Sequence, residues 1–416
     1  MMACSSCPKK FRNNNTLFLR LSLLHYSYIY KLIRNLTSTL FKFKTMIYHL
    51  NLKNSLSTLA IACVLGSACQ NKKVADNENA ADNKNAAVEQ KLTSDPLVTD
   101  IYTADPSAHV FNNRIYIYPS HDIESNVAMN DDGGHFAMTD YHILSMDEVG
   151  GKVTDHGVAL DIKDIPWAGR QLWAPDAAFK NGTYYLYFPV KDKSDVFRIG
   201  VATSSSPTGP FKPEPQPIAG SFSIDPTVFT DTDGQSYMYF GGIWGGQLQR
   251  WQNGKYDANG SKTDSQKENE PALTAKVARL SADIKSFAEP VKDVVILDEA
   301  GKPLLTKDHD RRFFEAAWMH KYNGKYYFSY STGDTHFISY AIGDNPYGPF
   351  TYQGVILKPV VGWTNHHSII EFKGKWYLFY HDSKLSGGQT HLRSVKVTEL
   401  SYRPDGTIET IDPEKL

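Results

Sequence analysis

An all-β fold, a five-bladed β-propeller, is predicted by two repeats and by the way they interleave. The first is a phrase met five times: a polar residue, an apolar run, a turn containing Asn, Asp or Gly, then an aromatic-rich strand at 113–118, 181–188, 233–240, 323–330 and 373–380. The second is a turn that closes the strand after two of these, Ser206-Pro207-Thr208-Gly209-Pro210-Phe211 and Asn345-Pro346-Tyr347-Gly348-Pro349-Phe350. Repeated strand–turn–strand units that cannot bury their own faces pack as blades around an axis.

The elements follow in chain order. Residues 1–45 are basic and Asn- and Leu-rich and read as an upstream extension. From Met46 a segment with Lys53, an apolar run at 56–65 and the small residues Gly66-Ser67-Ala68 lead to Cys69, the three-part form of an export signal with a lipidation-type cysteine at its end. Residues 70–94 are rich in Ala, Asn, Asp, Lys and Glu, and the stretch 70–92 lacks aromatics, which is the composition of a solvated tether. The propeller is expected over 95–416. Asn181-Gly182 and Asn323-Gly324 are strong hairpin signals inside it. The wide gap at 245–312 holds a charged surface loop at 253–271 and a strand of the third blade near 273–280. The strands at 392–410 are expected to close the ring against N-terminal residues.

Composition narrows the function. Net charge is −1, so neither nucleic acid nor an anionic surface is the expected partner, and a neutral substrate fits better. Membrane contact is expected only through the lipid anchor. All four cysteines (Cys4, Cys7, Cys63, Cys69) precede the body, which excludes a disulfide framework or a cysteine metal site there.

Five strand heads carry Asp105, Asp176, Asp225, Glu315 and the pair His366-His367. In a propeller these heads converge at one end of the axis. One Asp-Pro is an ordinary turn starter. Three acids (Asp105, Asp225, Glu315) in apolar surroundings at equivalent places in a repeat call for another reason, because ionised carboxylates are seldom put there for stability. Glycosidic hydrolysis with inversion needs such a set. One ionised carboxylate activates water, and one protonated carboxyl, roughly 6.5–9.5 Å away, protonates the leaving oxygen. A third carboxylate raises the pKa of the acid by repulsion.

At these residues the chain resembles glycoside hydrolase family 43. Ala104-Asp105-Pro106-Ser107, Leu172-Trp173-Ala174-Pro175-Asp176, Ser223-Ile224-Asp225-Pro226-Thr227, Phe314-Glu315-Ala316 and His366-His367-Ser368 match the family's motifs in order, and the likeness spans 95–416. The resemblance implies Asp105 as general base, Asp225 as pKa modulator and Glu315 as general acid. It implies release of terminal xylose or arabinofuranose from plant or algal polysaccharide fragments. The competing readings are an exo-acting galactan or arabinan hydrolase of the same family and a non-catalytic surface glycan-binding propeller, which has no need of the three acids. Trp173 and Phe314 are candidates for pocket walls, as is Trp244, and Arg393 for contact with a sugar hydroxyl. Adjacent strand residues face opposite sides, so one of the two histidines is expected at the axis. His366 is the candidate beside a structural calcium and His367 a candidate substrate contact. No cofactor is needed for the chemistry. Asp176 lies in a segment that is structural in the family. His121-Asp122 and Asp131-Asp132-Gly133 read as loops at the rim.

Overall fold

The computed structural model describes residues 95–416. The extension, export signal and tether read from residues 1–94 lie outside the described residues. Five antiparallel sheets follow one another along the chain. Blade 1 runs Tyr102–Phe111, Arg114–Asp122, Asp140–Met146 and Thr154–Asp161. Blade 2 has Asp176–Lys180 innermost, then Thr183–Asp192, Phe197–Ser204 and Lys212–Pro213, with Ala168–Leu172 paired to the far end of its second strand. Blade 3 runs Thr227–Thr230, Ser236–Phe240, Lys276–Arg279 and Lys292–Asp293. Blade 4 runs Glu315–Tyr322, Lys325–Ser331, Ile338–Gly343 and Phe350–Leu357, and Ile296–Leu297 adds a parallel edge strand. Blade 5 comprises His367–Phe372, Lys375–Asp382 and Ser394–Leu400. Each innermost strand packs against the next, and that of blade 5 returns to that of blade 1. No described helix is long and apolar enough to cross a membrane.

The hairpin signals act as their chemistry dictates. Both central turn residues are left-handed at Asn181-Gly182 (φ 52° and 80°) and Asn323-Gly324 (47° and 78°). This is the turn whose twist matches paired strands, and Asn and Gly adopt it cheaply. The strand expected at 273–280 is Lys276–Arg279, paired to Ser236–Phe240. The loop expected at 253–271 carries only a two-residue hairpin, Trp251–Gln252 with Lys255–Tyr256. Closure is also as expected: Leu97 N–H donates to Val395 O (2.8 Å) and Thr103 N–H to Arg393 O (2.9 Å), so the start of the body edges the last blade. The tail then crosses to blade 4, where Ile411 N–H bonds Ile356 O at 2.7 Å.

The aromatic strands hold many of the tyrosines of the described residues. As second strands they pack blade against blade, and four buried tyrosines use one device. Tyr118 donates to Pro207 O, Tyr187 to Ile284 O, Tyr239 to Pro346 O and Tyr327 to Gly406 O, at 2.7–2.9 Å. Each ring fills the space between blades while its hydroxyl reaches a backbone carbonyl beyond its own blade, so burial leaves no polar group unpaired. Pro207 and Pro346 lie in the two echoed turns, which ties the second repeat to the first.

Candidate active site

The strand heads do not continue the regular pleat. Pairing slips between Ala104 and Ser107 and again between Glu315 and Trp318. Asp105 (φ 50°), Asp225 (φ 54°) and Ala316 (φ 61°) are left-handed. Such bulges re-aim a side chain, and a non-glycine residue in this region carries strain that clusters at functional sites. Here they bring Asp105, Asp225 and Glu315 to one cavity of about 150 Å³ at one end of the axis.

Asp105 is held on every side. Its carboxylate accepts from Ser120 Oγ and from Arg393 Nη1, both at 2.7 Å, and its backbone N–H donates to His381 Nδ1 at 3.0 Å. Arg393 is fixed in turn by a fork to Asp122, with Nε and Nη2 at 2.8 and 2.7 Å, and its guanidinium lies over the Phe136 ring. Burial alone would raise the Asp105 pKa. The Arg393 charge and the Ser120 hydroxyl are among the influences that outweigh it and bring the group to about 2.

Glu315 has the opposite setting. It is the least buried of the three acids, and no described group hydrogen-bonds its carboxyl. Its neighbours in the cavity wall include Ile224, Ile243, Phe314 and Trp244. Burial and then the Asp105 charge push it to about 8. Asp225 shares the cavity, its Oδ2 accepting Ala316 N–H at 2.8 Å. Burial, then the Glu315 and Asp105 charges, raise it well above the usual carboxylate range. Two adjacent carboxyls in a poorly solvated wall cannot both ionise, so this pair retains a proton near neutrality while Asp105 does not.

Trp173 and Phe314 line the cavity, with Trp244 and Trp363. Trp173 donates from Nε1 to Phe136 O at 2.9 Å and rests on Phe197. Gly133 sits so close that an added Cβ would lie 2.5 Å from the Trp173 ring. At Gly333 the Phe314 ring would be 2.2 Å away. Both glycines have φ near +70°, so close approach and backbone conformation alike favour glycine there.

The two histidines separate. His366 lines the cavity, its Nδ1 3.6 Å from Asp105 and 3.9 Å from Asp225, and burial lowers its pKa to about 4, which keeps the imidazole neutral. His367 corrects the sequence expectation of a substrate contact. It is fully buried outside the cavity wall, with Nε2 2.6 Å from Ser329 Oγ, because the strand pleat turns it away from its neighbour. Arg393 does line the cavity, but both of its edges are engaged by Asp105 and Asp122. Asp176 is a pin between blades. It meets His109 Nε2 at 2.7 Å, accepts from Ser107 Oγ, and accepts Val228 N–H at 2.5 Å. Asp122, read as rim, is a buried partner of Arg393, whereas Asp131 does line the cavity. His381, Ser120 and Trp363 were not picked out from the sequence.

An ionised carboxylate and a proton-holding carboxyl in one small cavity at the end of a five-bladed ring are what a glycoside hydrolase needs. The chain belongs to glycosyl hydrolases family 43, whose model matches residues 103–408. It is 62% identical to a xylosidase/arabinosidase of Bacteroides ovatus over 317 residues, covering 76% of this chain and 97% of that protein. It is 56% identical to a beta-xylosidase of Xylanibacter ruminicola, over 74% of this chain and 97% of that one. Among solved structures, it resembles a family 43 beta-xylosidase/alpha-arabinofuranosidase from a compost microbial metagenome, solved with xylotriose in a calcium-free form. That likeness has TM-score 0.77 and 70% identity over 78% of this chain and 98% of the other.

Proposed function

We propose that this glycosidase releases terminal xylose or arabinofuranose from oligosaccharides of plant or algal polysaccharides, with inversion at the anomeric carbon. The observation that carries the reading is the pair of opposed protonation states in one cavity, Asp105 near 2 and Glu315 near 8. In this reading Asp105 takes a proton from water as its oxygen attacks the anomeric carbon. Glu315 gives its proton to the departing glycosidic oxygen. Burial and the Asp105 charge keep Glu315 protonated, and its neighbour Asp225 shares a proton with it. The small cavity and its aromatic walls suit one sugar ring at the reacting position, and the named relatives act on xylosides and arabinosides.

The calcium implied by the family would sit beside His366. A neutral imidazole facing two carboxylates is a donor set that accepts a cation, with water completing the oxygen shell that calcium prefers. Such an ion would supply positive charge to the floor of the cavity. Residues 46–69 support export, and Cys69 attachment to a membrane by lipid, with the sugar-cleaving body beyond a solvated tether.

Incubation with xylotriose and with arabinofuranosyl-substituted xylo-oligosaccharides, followed by proton NMR during the first turnovers, tests this. Single pentoses should appear first, with the anomer opposite to that of the bond cleaved. Release of internal fragments, or retention of configuration, would overturn it.

A further inference from the structure

Outside the cavity, blade 1 carries a cluster that the hydrolysis does not use. Its second and third strands pair only over residues 115–117 and 144–146. Beyond that they diverge, and the segment 123–139 between them forms much of one cavity wall, including Gly133, Phe136 and Met138. At the root of this segment, where the ladder is missing, side chains take over. His121 Nδ1 is 2.6 Å from Asp140 Oδ1. His142, two residues along the same strand face, points Nε2 at the same oxygen from 3.9 Å. One ligand atom from each of the three lies within 4.8 Å of the others.

The orientation of His142 is decisive. Its Nδ1 lies 3.0 and 2.9 Å from the two oxygens of Asp155, whose Oδ1 is itself fixed by Gly157 N–H at 2.8 Å. A carboxylate only accepts, so Nδ1 carries the hydrogen and Nε2 presents its lone pair to Asp140. In the neutral imidazole this lone pair faces a carboxylate oxygen across 3.9 Å, a gap too long for a direct hydrogen bond and one that a cation can fill. A carboxylate behind the imidazole that orients and polarises it is the usual outer partner of a metal-ligating histidine. Ligand atoms around a tetrahedral zinc at about 2.1 Å are roughly 3.4 Å apart, and the observed 2.6 and 3.9 Å straddle that value. The three side chains are 14–18% exposed, so an ion and a completing water can enter.

We propose that His121, Asp140 and His142 bind a divalent transition-metal cation of the zinc class, with Asp155 holding His142 in place. The ion displaces the proton between His121 and Asp140 and ties together the two strands that root the cavity wall. Two nitrogens and one oxygen select this class of metal over calcium or magnesium, which prefer all-oxygen shells.

The test uses the full chain stripped of metal, titrated with zinc chloride by calorimetry and by thermal unfolding. Wild type should take up one zinc at this site and unfold at a higher temperature. His142→Ala and His121→Ala should lose both effects, and Asp155→Asn should weaken binding about 10–100-fold. His366→Ala should keep the site. Cobalt substitution should give the visible absorption of a tetrahedral ion in wild type and in His366→Ala only. Should His142→Ala fold poorly, His142→Gln replaces it. Zinc uptake unchanged in the His142 variants, uptake lost only in His366→Ala, or no uptake by folded wild type would each overturn the proposal.

Discussion

The two walls of the cavity solve opposite problems with the same functional group. On the side of blades 1 and 5, the Asp105 carboxylate accepts from Ser120 and Arg393, and its backbone N–H donates to His381. On the side of blades 3 and 4, Glu315 stands among apolar and aromatic groups with a second carboxyl beside it. Burial pushes both groups upward. Only the first wall supplies the compensating charge, so the difference lies in what each carboxyl faces rather than in how deeply it sits. The contrast teaches that the walls set which carboxyl is ionised and which holds a proton.

The strongest way to break the contrast is to remove the charge from the donor-rich wall. Asp105→Asn should lower kcat by roughly 10²–10⁴-fold on every substrate, whatever its leaving group, while xylotriose binding persists. The same change should lower stability, because Arg393 keeps Asp122 but loses the buried countercharge of Asp105. Asp105 binds fewer protons folded than unfolded between 3.8 and about 2. Its stabilisation is therefore complete above that window and is lost as pH falls through it. Thermal unfolding at pH 7 and at pH 3 should show the gap between variant and wild type shrinking at the lower pH. Wild-type turnover in this variant would take Asp105 out of the reaction.

The apolar wall predicts a selective loss. Glu315→Gln should cost up to roughly 10²–10⁴-fold on xylo-oligosaccharides and little on aryl glycosides whose leaving group needs no proton. Wild-type kcat/KM should fall above about pH 8, and that limb should vanish in the variant. Stability should move the other way. Between 4.5 and about 8 the folded chain holds a proton that the unfolded chain has released, so wild-type stability falls as pH rises through this window. Glutamine does not titrate, and the variant's advantage in unfolding temperature should grow from pH 4.5 to pH 8. Equal losses on both classes of substrate would remove Glu315 from the acid role.

How much of this contrast was legible in the sequence depends on where the residues sit in the repeat. Asp105, Asp225 and Glu315 could be found because each heads an innermost strand, and a ring brings such heads together. Asp176 heads its strand too, yet it pins blades 1 and 3. Place in the repeat therefore gives location in the ring and not role. Register decides between adjacent residues, and parity alone could not say whether His366 or His367 faced the cavity. The partners that tune Asp105 were hidden for a different reason. Asp122 and His381 end second strands, and they meet Arg393 and Asp105 from 271 and 276 residues away. No local pattern marks a contact formed only by closure of the ring. Asp131-Asp132-Gly133 was likewise legible as a rim loop, but the wall that 123–139 forms was not, since its position rests on Gly133 against Trp173.

The finest test of the contrast leaves Asp105 and Glu315 in place and alters only the wall behind one of them. Arg393→Lys keeps a positive charge but replaces the planar fork that reaches Asp105 and Asp122 together with a single ammonium. One of the two carboxylates then loses a charge-assisted bond, an effect of about 1.5–3 kcal/mol, or roughly ten- to a hundredfold in kcat/KM if the loss falls on Asp105. Its pKa should rise from about 2 toward 3.8, so the acid limb of the pH profile should move upward. The alkaline limb set by Glu315 should stay near 8 or shift slightly, because Arg393 opposes that rise only as the last of its influences. Asp122→Asn should do the same more weakly, since it loosens Arg393 without removing it. If both limbs moved together, the two walls would be one electrostatic unit, and the separate assignment of acid and base to them would fail.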